Sequence, residues 1–99
     1  MQEKRIEKRL VSETKKMGGL CLKLNSQSAN GVPDRLVLTP GGGVYFIELK
    51  SPGKKLDPLQ YYWMGVLNRL GFSFHKLDSF DDVDVFIELI KIGGGAQHD

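Results

Sequence analysis

Two short runs of β-branched, aromatic and aliphatic residues, Arg35–Thr39 and Val44–Leu49, are separated only by Pro40-Gly41-Gly42-Gly43. That spacing leaves the chain little choice. Glycine-rich turn chemistry between two strand-forming runs predicts a β-hairpin. Neither Leu36-Val37-Leu38 nor Val44-Tyr45-Phe46-Ile47 alternates with polar residues, so the hairpin is expected at the centre of a sheet covered on both faces. Folding back at the turn carries Asp34, at the open end of one strand, beside Glu48 and Leu49 on the other. Side chains alternate along a strand, so Glu48 and Lys50 share a side while Leu49 points to the opposite layer. Pro33 presses Val32 into an extended conformation, which delivers Asp34 from a stiff approach.

Charged groups at the end of a buried strand must be paired, hydrated or bound to metal, because an isolated buried charge costs several kcal/mol or more. Asp34 and Glu48 offer hard oxygen donors, and the chain has no cluster of His and Cys, so the expected ion is Mg²⁺ or Mn²⁺ and not Zn²⁺.

Composition sets the bounds. Ninety-nine residues, 40% of them hydrophobic, suit one domain, expected over residues 1–92 with a flexible glycine-rich tail over 93–99. No apolar run approaches the ~20 residues of a membrane span, and the N-terminal stretch is charged where a signal peptide needs an apolar core. The expected setting is a cytoplasm. The single Cys21 excludes an internal disulfide and reads as an inert core thiol. Residues 1–77 carry 13 Lys and Arg against 6 acids, and residues 78–99 one Lys against 6 acids. A basic body with an acidic end is compatible with a polyanion partner without requiring one.

Residues 2–17 read as an amphipathic helix stopped by Gly18-Gly19. Its apolar arc holds Ile6, Leu10, Thr14 and Met17, with Lys4, Arg5, Lys8, Arg9, Lys15 and Lys16 on the opposite arc. Two acids break this pattern. At about 100° per residue from Ile6, Glu3 falls near about 60° and Glu7 near about 100°, inside the apolar arc. Glu3 can reach water at the helix end; Glu7 has less freedom and is a boundary residue or, beside an inward-facing metal site, a third acid.

Residues 19–24 form a short apolar strand and 25–32 a polar loop. Beyond the site strand, Asp57, Pro58 and Gln60 carry the signature of a capping box opening a helix to about Leu70. That box explains Gln60 structurally; the alternative is that Gln60 reaches the carboxylates. Leu59, Trp63, Val66, Leu67 and Leu70 lie on one stripe, which makes Trp63 a core residue, and Tyr61 and Met64 fall off it as exposed apolar surface in need of a partner. A strand over 72–77 follows, with His75 a surface or satisfied strand residue, and Ser79 opens a last helix.

With these residues in place, the chain resembles the PD-(D/E)XK nuclease superfamily. Gly31-Val32-Pro33-Asp34-Arg35, Phe46-Ile47-Glu48-Leu49-Lys50 and Leu59-Gln60 resemble the VRR-NUC (virus-type replication-repair nuclease) family, in the short stand-alone form of phages and prophages. The likeness runs from Glu7 to Leu77, with the first-helix glutamate open between Glu3 and Glu7 and Glu7 preferred by its place on the wheel.

The resemblance implies an α/β, restriction-endonuclease-like core: a mixed central sheet of about four strands flanked by helices, in the order αβββαβα. It implies Mg²⁺, with Mn²⁺ as substitute, held by Asp34, Glu48 and the backbone carbonyl of Leu49, with Glu7 completing the shell directly or through water. Lys50 would position or deprotonate the attacking water, and Gln60 would support it. Arg35, Lys54, Lys55, Lys4 and Lys8 are expected to hold DNA phosphates. The implied activity is a structure-specific endonuclease on branched DNA, most simply a four-way (Holliday) junction resolvase. Two symmetric cuts call for a homodimer, for which Tyr61, Tyr62 and Met64 are the candidate interface. Flap or general structure-selective cleavage is the alternative, as is a non-catalytic nucleic-acid-binding module of the same fold.

Overall fold

The computed structural model describes residues 2–25 and 30–96. Three helices and four strands follow in the order α1 (Gln2–Lys16), β1 (Leu20–Lys23), β2 (Arg35–Thr39), β3 (Gly43–Leu49), α2 (Pro58–Arg69), β4 (Ser73–Leu77) and α3 (Phe80–Ala96). The expected αβββαβα order and mixed sheet are both present. The sheet runs β1-β2-β3-β4: β2 pairs antiparallel with both β1 and β3, and β4 lies parallel to β3. A parallel pair needs a crossover connection, and α2 provides it.

One sheet face carries the core. Val37 of β2, Tyr45, Ile47 and Leu49 of β3 and Leu77 of β4 pack against Ile6 and Leu10 of α1 and Val83, Phe86, Ile87 and Ile90 of α3. His75 stands on this face, its ring 4.9 Å from Phe86, and burial lowers its pKa. It is a half-buried histidine packed against the core aromatics Tyr45 and Phe86. Helix α1 ends at Gly18, whose φ of 86° is the left-handed conformation that halts a helix, with the Gly18 N–H donating to the Lys15 carbonyl. Ser79 caps α3 by accepting the Asp82 N–H at 3.0 Å.

The opposite face is only partly covered, which corrects the expectation of a sheet buried on both sides. Leu36, Leu38, Val44 and Phe46 are half-buried there, and Leu20 and Leu22 of the edge strand are exposed. The reason lies in α2. Of its apolar stripe only Leu67 is buried; Trp63 and Val66 are half-buried, and Leu59 and Leu70 are exposed. The helix packs mainly on β4 and meets the end of β3 through Gln60 and Glu48, so it does not span the sheet; Phe72, just beyond it, lies edge-on to Phe46 at 5.5 Å. A second difference concerns the last helix, which continues through Gly93, Gly94 and Gly95 to Ala96 instead of giving way at Gly93. Glycine costs a helix about 1 kcal/mol relative to alanine but does not forbid it. Residues 97–99 of the expected tail lie outside the described residues, as do 26–29 of the polar loop.

Candidate active site

The site is built where β3 ends, on the α2 side of the sheet. Ile47 and Leu49 enter the core and Glu48 between them points the other way, yet it is only 3% exposed. One of its oxygens, Oε2, accepts a 2.9 Å hydrogen bond from Gln60 Nε2; the other, Oε1, is buried with no hydrogen-bond partner among the described residues. Asp34 is set by the chain itself, its Oδ2 accepting the Leu49 N–H at 2.9 Å. That bond ties the open end of β2 to the end of β3. Lys50, 5% exposed, has its backbone fixed by donation to the Leu77 carbonyl, and its Nζ lies 4.0 Å from Asp57 Oδ2.

Charge in this corner is strained. The pKa of Glu48 is raised from 4.5 to about 8. Burial is the chief cause; the Asp34 carboxylate adds to it by repulsion, Lys50 opposes it, and Glu3 adds a further push. Two carboxylates that cannot comfortably ionise together, one holding an unsatisfied oxygen, require either a shared proton or a cation.

Gln60 resolves the two readings of its position by satisfying both. Its Oε1 accepts the Asp57 N–H at 2.8 Å, capping α2, while its Nε2 holds Glu48. A cap and a site contact are the same side chain.

Glu7 and Arg35 are brought together elsewhere. Arg35 shares its strand face with Val37, so it points under α1, where its Nε donates to Glu7 Oε2 at 2.8 Å and its Nη1 to the Cys21 carbonyl at 3.2 Å. The sheet thus separates Glu7 from Glu48. Glu7, expected to complete the metal shell, and Arg35, expected to meet phosphate, are here each paired with the other inside the α1 layer. The first-helix acid whose field reaches Glu48 is Glu3. Among the remaining expected contacts, Lys4, Lys8, Lys54 and Lys55 are exposed, Tyr61 and Tyr62 are exposed, and Met64 is half-buried.

Gly31 and Trp63 hold the Asp34 loop. Gly31 adopts a φ of 83°, and a Cβ there would stand 2.7 Å from Leu59 Cβ and 2.9 Å from the Leu59 carbonyl carbon. No other residue lets the loop approach α2 this closely. Trp63 Nε1 donates to the Asn30 carbonyl at 2.9 Å, so the indole expected in the core instead pins the loop to α2. A glycine two residues before a proline was the available signal for the first; nothing in the sequence pointed to the second.

The sequence pattern of the VRR-NUC domain matches residues 1–81. The chain belongs to this family. A protein of Acyrthosiphon pisum secondary endosymbiont phage 1 named "Putative nuclease p44" is 46% identical over 81 residues, 82% of this chain and 87% of that protein. A solved structure described as a VRR_NUC domain superposes with a TM-score of 0.84 at 32% identity, covering 89% of this chain and 96% of the other. The chain is therefore a nuclease-family domain with the VRR-NUC fold.

The donor set of this VRR-NUC domain can be tested against the expected ion. Among the described residues no three His, Cys, Asp or Glu side chains form a closed cage. Two neighbouring carboxylates suit Mg²⁺, which keeps several waters and takes one or two carboxylates from a protein. The orphaned Glu48 Oε1 is a vacant hard donor of the right kind.

Proposed function

We propose that this protein is a Mg²⁺-dependent endonuclease that hydrolyses phosphodiester bonds in branched DNA, acting as a dimer on four-way junctions. The observation that carries the reading is Glu48: a carboxylate 3% exposed, one oxygen unpartnered, beside Asp34 and Lys50. A structural carboxylate would have its lone pairs satisfied by the protein.

Asp34, Glu48 and the Leu49 carbonyl would hold the ion, Mg²⁺ or Mn²⁺ in its place. When bound, the cation offsets the paired carboxylates and stabilises negative charge gathering on the phosphate oxygens. The chain's own residues do the rest. The Leu49 N–H fixes the Asp34 carboxylate, and Gln60 fixes that of Glu48, so both donors are oriented before substrate arrives. Lys50, buried at the strand end, orients the attacking water and moves its proton through Nζ. Glu3 supplies negative charge from the end of α1.

A single site cuts one strand at a time, and paired cuts in a four-way junction need two sites in a fixed two-fold relation. Tyr61 and Tyr62, 50% and 60% exposed on α2, and the open sheet face at Leu20 and Leu22 supply apolar surface for such a contact. The test is cleavage of a four-way junction and of linear duplex in Mg²⁺, with light scattering at micromolar concentration. The expected result is a dimer giving paired nicks in opposing strands, abolished by EDTA. Full activity in excess chelator overturns the metal assignment; a monomer that cuts flaps as readily as junctions overturns the resolvase reading alone.

A further inference from the structure

The outer face of α1 and the start of α3 enclose a groove of about 490 Å³ lined by Arg5, Lys8, Arg9, Ser12, Lys16 and Phe80. Glu13 also lines it and is occupied by Lys16 at 3.0 Å; Arg9 is held by Asp84 at 2.9 Å. Arg5 and Lys8 have no acidic partner among the described residues. A second cavity of about 280 Å³, lined by Gln2, Ile6, Pro52, Ser79 and Phe80, adjoins the first. Phe80 is common to both, and Pro52 lies two residues beyond Lys50.

The turn that carries Pro52 is held in place, because the Gly53 N–H donates to Asp78 Oδ2 at 3.2 Å. The two cavities share Phe80 and so extend from Pro52, in the turn that follows the site strand, to cations spread over about 16 Å of α1 between Arg5 and Lys16. The Phe80 ring is 40% exposed, and the Arg9 guanidinium lies 5.3 Å from its centroid. Arg9 is fixed in turn by its fork of two bonds to Asp84. An apolar ring is thus kept at the surface, braced from one side, where burial in the neighbouring core would ordinarily draw it in.

We propose that these cavities are a binding track for an unpaired DNA strand, with Phe80 stacking on a base and Arg5, Lys8 and Lys16 meeting phosphates. Basic grooves with an aromatic platform are the chemistry of single-strand binding. A duplex hides its base faces within its own stack and gives Phe80 nothing to stack on. The inference rests on the endonuclease reading and not on the four-way junction, whose arms are all duplex: the track holds an unpaired strand of a branched substrate, such as a flap, beside the cut site.

The test compares a fluorescein-labelled blunt duplex with the same duplex carrying an oligo-dT extension, with binding measured in EDTA. Wild type is expected to bind the extended duplex more tightly. Phe80→Ala loses about 5- to 150-fold of that advantage, as expected for one stacked base. Phe80→Trp retains it, and Phe80→Leu, which keeps apolar bulk without a π-face, loses it and serves if the alanine variant does not fold. Lys8→Glu flattens the salt dependence of binding to the extension. Wild type without a preference for the extension, or Phe80→Leu with the full preference, overturns the track. Preference without cleavage in any metal leaves the track standing and removes the nuclease reading; cleavage without preference does the reverse.

Discussion

Ile47, Glu48 and Leu49 are consecutive on β3, yet they belong to regions with different physics. Ile47 and Leu49 enter a layer closed by α1 and α3, where the charges present, Glu7 and Arg35, satisfy one another at 2.8 Å. Glu48 enters a layer that α2 covers only in part, where a buried carboxylate keeps an unpartnered oxygen and a proton up to about pH 8. On the first face the ionised pair is neutralised internally, and the buried groups left without a partner, the Thr14 and Thr39 hydroxyls, are uncharged, so little there calls for a cation. On the second the polar groups are positioned but not satisfied, so the face is poised to gain free energy from a cation. One strand separates structure from chemistry because its side chains alternate.

The largest expected effects fall on the open face. Lys50→Ala should lower the cleavage rate by about 10²–10⁴-fold, the usual contribution of a group that moves a proton, while leaving metal affinity by calorimetry intact. Asp34→Ala should lose both cleavage and metal affinity. Equal metal affinity in wild type and Asp34→Ala would break the comparison, because the open face would then be no better prepared for a cation than the closed one.

A smaller effect should appear in the pH dependence of stability measured in EDTA. The folded protein holds the Glu48 proton more tightly than the unfolded chain does, so this group makes stability fall as pH rises from about 4.5 to about 8, and the loss levels off above that. His75, whose pKa is lowered by burial, works in the opposite sense below its ordinary value of 6.5. The quantity to measure is therefore the difference in denaturant midpoint between wild type and Glu48→Gln. Glu48→Gln should gain on wild type steadily up to about pH 8; parallel profiles would mean that Glu48 ionises freely and the open face is not strained.

The smallest effects sharpen the division of the two first-helix acids. Glu7→Gln should cost about 1–3 kcal/mol of stability, by weakening a partly buried charged hydrogen bond, with metal affinity unchanged. Glu3→Gln should leave stability unchanged and weaken metal binding by about 10-fold, as expected of an outer group. The reverse pattern would move the site across the sheet.

The glycine turn and the two apolar runs determined the hairpin, and the hairpin determined that Asp34, Glu48 and Lys50 meet, because strand pairing and side-chain alternation are local rules. The capping box placed Gln60 at a helix start for the same reason, although only the fold turned its amide onto Glu48. A helical wheel placed Glu7 on the inner arc of α1 and was right about the arc; it carries no information on which sheet face that arc will meet. That depends on how α1 packs, and packing set Glu7 against Arg35 and left Glu3 as the first-helix acid whose field is felt at Glu48. Apolar runs likewise announced a buried hairpin but not how far α2 would extend over it, since coverage is a matter of helix placement and not of strand composition. What the sequence by itself determined are contacts within one element or between neighbours joined by a tight turn; the assignment of each charge to a face, and the openness of the site face, arise from packing between distant segments, and only the tertiary structure decided them.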